Sequence, residues 1–168
     1  MSMQRILVIG NCGSGKSTAS VEIARRLKLP VIHLDREFWK PGWEQPADSE
    51  WEASVARLLE AEHWVIDGNY TGSLPQRIAR ADCVVWLDFP RLFCMGQVLR
   101  RVMRHRGRER ADCGAGCPER FDLAFLKWVW DYPLRSRGRT LEILAANTHV
   151  EQHVFTTRRE LYEWISEQ

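Results

Sequence analysis

No stretch of the 168 residues approaches the roughly 18 to 20 consecutive apolar positions needed to span a bilayer, so a membrane-spanning segment is not expected. The first apolar run, residues 6–9, follows too few residues to make a signal peptide. Surplus charge is missing as well: 24 basic against 22 acidic residues leave a net +2. That balance excludes a uniformly basic nucleic-acid binder and confines any anion site to local clustering. The five cysteines, Cys12, Cys83, Cys94, Cys113 and Cys117, are odd in number and lie in dissimilar contexts. They make no disulfide framework, and a reducing cytoplasm is the expected location. His105, Cys113 and Cys117 lack the paired C-x-x-C spacing of a structural zinc site. With no internal repeat, low-complexity tract or linker, residues 1–168 read as one domain, and 45% hydrophobic residues suffice to fill its core.

What is present is an alternation. Strand-length apolar runs recur at residues 6–9, 31–34, 64–66, 83–87 and 153–155, with helical patterns between them. Continuous rather than alternating apolar runs mark strands buried on both faces, as in a parallel α/β sheet covered by crossover helices. Helices are expected from the Gly-rich turn to about residue 27, where Pro30 stops the first, and from an Asp48 N-cap to about residue 61. Others are expected from Pro90 to about residue 106, over 121–130 and over 134–146. Between residues 107 and 118, three glycines and several charges replace apolar periodicity. A mobile excursion is expected there, a lid over about residues 105–120.

The strongest single signal is Gly10-Asn11-Cys12-Gly13-Ser14-Gly15-Lys16-Ser17, which has phosphate-loop spacing and lies directly between an apolar strand and a helix. Glycines permit the backbone conformations that turn successive N–H groups toward one anion, and the helix N-terminus adds its positive dipole end. The pattern implies ATP and Mg2+, with Lys16 reaching the β- and γ-phosphates and Ser17 ligating the metal. Thr18 closes this candidate nucleotide site and reads as a helix residue rather than a second ligand. Cys12 reads as a small loop filler rather than a redox-sensitive thiol.

A phosphate loop needs an acidic partner, and in parallel sheets such residues lie at the carboxyl ends of neighbouring strands. Asp35 and Asp67 each end a strand-length run, whereas Asp88, ahead of Phe89-Pro90, reads as a cap. Asp35 is the candidate general base if the acceptor is a hydroxyl; an acceptor phosphate, already ionised, requires none. Arg100, Arg101, Arg104, Arg106, Arg108 and Arg110 crowd the end of the long helix and the start of the excursion. Arg100 and Arg104, four apart on one helical face, can both reach a single polyphosphate, and a closing lid adds Arg108, Arg110 or Arg120. Arg135 and Arg139 face either the same cleft or solvent. Trp39 and Trp43 either stack on an acceptor ring or cover the core edge.

In order and spacing, several motifs match a known group. They are the phosphate loop, His33-Leu34-Asp35 with Trp39-Lys40-Pro41-Gly42-Trp43, Asp67-Gly68-Asn69-Tyr70, Leu87-Asp88-Phe89-Pro90-Arg91, and Gly116-Cys117-Pro118-Glu119. Over almost the whole chain this arrangement resembles the adenylate-kinase-like P-loop kinases, and more closely the bacterial DNA topology modulation proteins of the FlaR type. The resemblance implies a P-loop NTPase three-layer sandwich: a five-stranded parallel sheet flanked by helices, an acceptor region over about residues 35–62 and an arginine-rich lid. It implies Asp67 as the magnesium-side carboxylate. Nucleoside monophosphate kinases follow Asp-Gly with Phe-Pro-Arg, where Asn69-Tyr70 stands here, leaving Arg36 or Arg77 as replacements for the missing arginine. The implied function is an ATP-dependent phosphotransferase acting on a small acceptor. The alternatives are a nucleotide-dependent regulatory or DNA-topology-modulating protein that uses the loop as a switch, and a plain ATPase. The near-neutral charge gives little support for direct nucleic-acid binding.

Overall fold

The computed structural model describes residues 3–168. Five strands are joined by helices in the order β1 (Arg5–Gly10), α1 (Lys16–Leu27), β2 (Val31–His33), α2 (Leu34–Phe38), α3 (Asp48–Leu58), β3 (Trp64–Asp67), α4 (Leu74–Ile78), β4 (Cys83–Leu87), α5 (Arg91–His105) and α6 (Leu123–Trp130). A π-helical turn (Pro133–Arg137) leads into α7 (Gly138–Ala146), β5 (Glu151–Phe155) and α8 (Arg158–Ser166). All pairings are parallel, in the order β2-β3-β1-β4-β5, so the strand that enters the phosphate loop is central.

Parallel neighbours cannot be joined by tight turns, and the crossover helices that join them bury both faces of the sheet. Along β1, Ile6 and Val8 point into a core shared with Ile23 of α1, Val98 of α5 and Leu161 of α8. Leu7 and Ile9 point into a second core with Val55 of α3, Ile78 of α4 and Leu144 of α7. All four β1 side chains are fully buried, each worth about 1.5–3 kcal/mol in transfer terms. The result is the expected three-layer α/β sandwich. Among the described residues, no helix is long and apolar enough to cross a membrane.

All five expected strands are present, with differences at element ends. Leu34 opens α2 instead of closing β2. The second expected helix is capped one residue before Asp48, at Ala47, whose N–H donates to Glu50 Oε2 at 3.2 Å. The expected 134–146 helix is a π-turn followed by α7. Three helices were not anticipated. Two of them, α2 and α4, have five residues each, too few for a periodic signal. The third, α8, begins with a Thr157/Glu160 capping box.

The segment expected as a mobile excursion is tied down at both ends. At its base, Gly107 N–H donates to Glu119 O (2.8 Å) and Glu119 N–H to Arg108 O (2.9 Å). The Glu119 carboxylate, 4% exposed, is gripped by Arg101 at 3.1 Å and Arg110 at 2.9 Å. At its tip, Gly42 N–H donates to Gly116 O (2.9 Å), Trp43 Nε1–H to Pro118 O (3.1 Å), and the Cys117 thiol to Lys40 O (3.2 Å). A Cβ on Gly114 would fall 2.0 Å from Trp39 O, so only glycine allows this approach. The segment is thus a strap docked on the 39–43 loop.

Asp82 ties the start of β1 to that of β4. Its Oδ2 accepts from the Gln4 and Arg5 N–H groups at 3.1 and 2.9 Å, and its Oδ1 from Arg5 Nη2 at 2.7 Å. Burial pushes its carboxyl up, but the Arg5 guanidinium and the two amides outweigh that and hold it below the ordinary aspartate range. A depressed pKa stabilises the fold above the unfolded value of about 3.9, and that contribution is lost as pH falls through the folded value. Asp82→Asn should therefore lower the urea midpoint at pH 7 and flatten the acid limb below pH ~4. An unchanged acid limb would contradict this account.

Candidate nucleotide and transfer site

The loop between β1 and α1 passes through Gly10, Gly13 and Gly15 at φ 144°, 81° and 92°. At Gly13 a Cβ would also lie 2.2 Å from Cys94 O on α5, so the loop is seated on that helix as well as on the sheet. Asn11 is buried and donates through Nδ2 to Val129 O at 2.9 Å, linking the loop to α6. Lys16 Nζ donates to Asn11 O at 2.9 Å. Ser14 is 1% exposed, yet its hydroxyl has no partner. A glycine-shaped turn at a helix N-terminus can present successive backbone N–H groups to one anion, and a polyphosphate fits that arrangement. Cys12 is half-buried, and burial pushes its thiol up despite Lys16, which suits a filler rather than a reactive thiolate.

The strand-end carboxylates have distinct partners. Asp67, at the end of β3, is 4% exposed and meets His33 Nδ1 at 3.0 Å. That hydrogen bond raises the His33 pKa, outweighing burial. Asp35, in the first turn of α2, accepts from the Tyr70 hydroxyl at 2.7 Å. Burial and the adjacent Asp35 charge push the Tyr70 phenol far up, so it remains a donor. Asp88 does not cap α5, whose N-cap is Pro90; it pairs with Arg137 at 2.8 Å.

Tyr70 is itself held by an arginine. Arg77 is fully buried and donates to Gly68 O (3.0 Å), Asn69 O (2.8 Å), Tyr70 O (2.9 Å) and Ser73 Oγ (3.1 Å). Burial pulls its pKa down to about 9. These bonds fix the turn after β3, including Tyr70 at φ 23°. Arg77, fully buried and with four of its five N–H groups bonded, therefore builds the turn, while Arg36 is exposed.

Among the arginines, the pair singled out from the sequence lies outside the cleft. Arg100 and Arg104 are exposed on α5 and do not line the cavity beside the phosphate loop. Arg101 and Arg110 do, with Ser17, Thr18, His33 and Asp112, around a space of about 840 Å³. The i, i+4 spacing of Arg100 and Arg104 is real, but that face of α5 looks outward. Asp112 pairs with Arg110 at 3.1 Å and lines the cavity beside Ser17. Burial pushes its carboxyl up, but Arg110 and Ser17 together hold it below the ordinary range. Asp112 and Glu119 were missed in the sequence, where the available signal was an acid set inside an arginine run. Arg135 lies over the Trp128 ring at 3.9 Å, and Arg139 is exposed. Trp39 and Trp43 pack edge to face at 5.5 Å under the strap, while Phe38, Trp51 and Tyr70 form a cluster with centroids 4.8–5.0 Å apart.

Solved structures share this architecture. Shikimate kinase from Acinetobacter baumannii in complex with shikimate superposes with a TM-score of 0.66 at 13% identity, over 99% of this chain and 90% of that one. A gluconokinase from Sinorhizobium meliloti gives 0.56 at 18% identity, over 99% and 89%. Shikimate kinase from Bacteroides thetaiotaomicron gives 0.54 at 18%, over 98% and 95%. The chain shares the α/β fold of these structures. No family model and no curated protein sequence matches the chain. The P-loop NTPase fold read from the sequence is thus the observed one.

Arg77 gives this site its most direct structural test. In Arg77→Leu the carbonyls of Gly68 and Asn69 lose their donor, at about 1–3 kcal/mol for each buried group left unpaired, while Tyr70 O keeps its bonds from Ser73. Arg77→Lys should recover only part, since a compact ammonium cannot reach the same set of acceptors. Denaturant midpoints within about 0.5 kcal/mol of wild type would show that the turn does not depend on this residue.

Proposed function

We propose that the chain is an ATP-dependent kinase that transfers the γ-phosphoryl group to a hydroxyl of a small acceptor. The observation that carries this reading is the glycine-shaped loop, followed by Lys16 and Ser17 at the start of α1, in a P-loop kinase fold. Residues 10–18 hold the nucleotide, with Lys16 on the β- and γ-phosphates. Magnesium would be held by Ser17 and Asp67 and would supply charge neutralisation at the phosphates. Among the described residues no group of three or more His, Cys, Asp or Glu side chains gathers as a metal site. Magnesium takes most of its shell from water and phosphate, and needs only one or two carboxylates.

A hydroxyl acceptor is favoured because Arg77 is fully buried within the turn it builds, out of reach of an acceptor phosphate. The shikimate bound to the Acinetobacter neighbour supports the same class. As the acceptor oxygen bonds to the γ-phosphorus, the bond to the β–γ bridging oxygen breaks and ADP leaves. The hydroxyl proton passes to Asp35, which the Tyr70 hydroxyl orients through a 2.7 Å hydrogen bond. Arg101 and Arg110, which line the cavity, take the charge-stabilising part sought from Arg100 and Arg104. The docked strap limits the access of water, which would otherwise compete as acceptor.

Coupled ADP-release assays over hydroxylated metabolites, nucleosides and nucleoside monophosphates should show turnover stimulated by a hydroxyl acceptor. Lys16→Ala should abolish that turnover with an unchanged circular dichroism spectrum, because Lys16 supplies charge rather than core packing. Calorimetry that detects no magnesium-dependent ATP binding to the folded protein would overturn the proposal.

A further inference from the structure

Asp35 stands at the end of an unbroken row of aromatic rings. Its carboxylate accepts from the Tyr70 hydroxyl at 2.7 Å, and the Tyr70 ring lies 4.8 Å from Phe38 and 5.0 Å from Trp51. Phe38 is also 5.0 Å from both Trp51 and Trp39, and Trp39 meets Trp43 at 5.5 Å. All five rings are half-buried, so each packs against its neighbours and still presents surface. An aromatic ring is negative over its face, and a carboxylate beside a set of rings adds a full charge of the same sign. The outer end of the row already holds a cation, for the Arg120 guanidinium lies over Trp43, 5.9 Å from its centroid. At the inner end, among the described residues, Asp35 has no ion-pair partner, because the basic groups nearby are engaged elsewhere. Lys40 pairs with Glu50 at 2.7 Å, Arg110 with Asp112 and Glu119, and Arg77 is bonded into its turn. Arg36 and Arg57 are exposed. The sequence leans the same way: residues 35–62 carry eight acidic side chains against three basic, in a chain whose net charge is +2.

We propose that the acceptor is a hydroxylated organic cation, an amino alcohol or amino sugar, whose ammonium group lies against the Phe38, Trp51 and Tyr70 rings while its hydroxyl reaches Asp35. Rings and carboxylate together attract a cation and offer an acidic acceptor no buried basic group to pair with. The inference rests on the kinase reading for the transfer step and deepens it by fixing the charge of the acceptor. Bonds are made and broken as in that step: the acceptor oxygen joins the γ-phosphorus, ADP leaves and the hydroxyl proton passes to Asp35. The ammonium nitrogen takes no part in the transfer and only holds the acceptor in place.

The test compares acceptors of like shape and different charge: choline against its uncharged carbon isostere, and glucosamine against glucose and gluconate. Binding to the full chain, with Mg2+ and a non-hydrolysable ATP analogue, is measured by calorimetry, and turnover with ATP by coupled ADP release. In at least one series the cation should bind about tenfold more tightly than its neutral counterpart, with gluconate the weakest of the sugar series. Trp51→Leu should reduce that ratio to about twofold or less, chiefly through KM, while Trp51→Phe, which keeps a ring, should retain most of it. Taking the ratio within each variant separates the loss of the ring from a general loss of folded protein. No binding of either cation, equal binding of cation and neutral counterpart, tighter binding of gluconate, or a preference unchanged in Trp51→Leu overturns the proposal. Preferential binding of a cation with no ADP released from any probe would leave the cation site standing and overturn the transfer reading instead.

Discussion

A row of backbone N–H groups can converge on one anion only where the chain turns through conformations that side chains resist, and something rigid must then hold that turn. Here the turn runs through Gly10, Gly13 and Gly15, and the rigidity comes from β1, whose apolar side chains are buried on both faces at the centre of the sheet. Gly13 adds contact with α5, and Asn11 adds a bond to α6. The loop is therefore bolted to three elements. The ends of β2 and β3, which carry the His33–Asp67 pair, lie on one side of β1 by strand order alone.

Two buried charged residues organise what surrounds the loop. Arg77 folds the chain after β3 around its guanidinium, and Glu119 gathers Arg101 and Arg110 at the foot of the strap. Burying such groups is costly, and the cost is offset by the hydrogen bonds and ion pairs they make. Their return is geometric: each fixes an irregular segment that packing alone leaves undetermined. Tyr70 meets Asp35 because of the first, and Arg101 and Arg110 line the cavity beside Ser17 because of the second.

The sheet was legible because buried parallel strands are written as unbroken apolar runs, and the phosphate loop because its spacing is dictated by geometry between a strand and a helix. Element ends and the five-residue α2 and α4 were not, since so short a segment completes too little of a helical period. The site was legible only in part. Asp35 and Asp67 follow from where strands end, but the choice between Arg100 and Arg101 depends on the rotation of α5 about its axis. The partners of Arg77, Asp112 and Glu119 are distant in sequence or set by irregular backbone, which no periodicity encodes. The strap read as mobile because its glycines look like hinges; Gly114 instead removes a side chain that would strike Trp39 O.

That close fit has an evolutionary corollary. Where Gly114 and Gly116 lie against Trp39 and Pro41, neither stretch has spare volume, and each bond between them ends on a main-chain carbonyl. A lineage that lengthened or thickened either segment would have to trim the other in step, so the two should drift as a pair although more than seventy positions separate them.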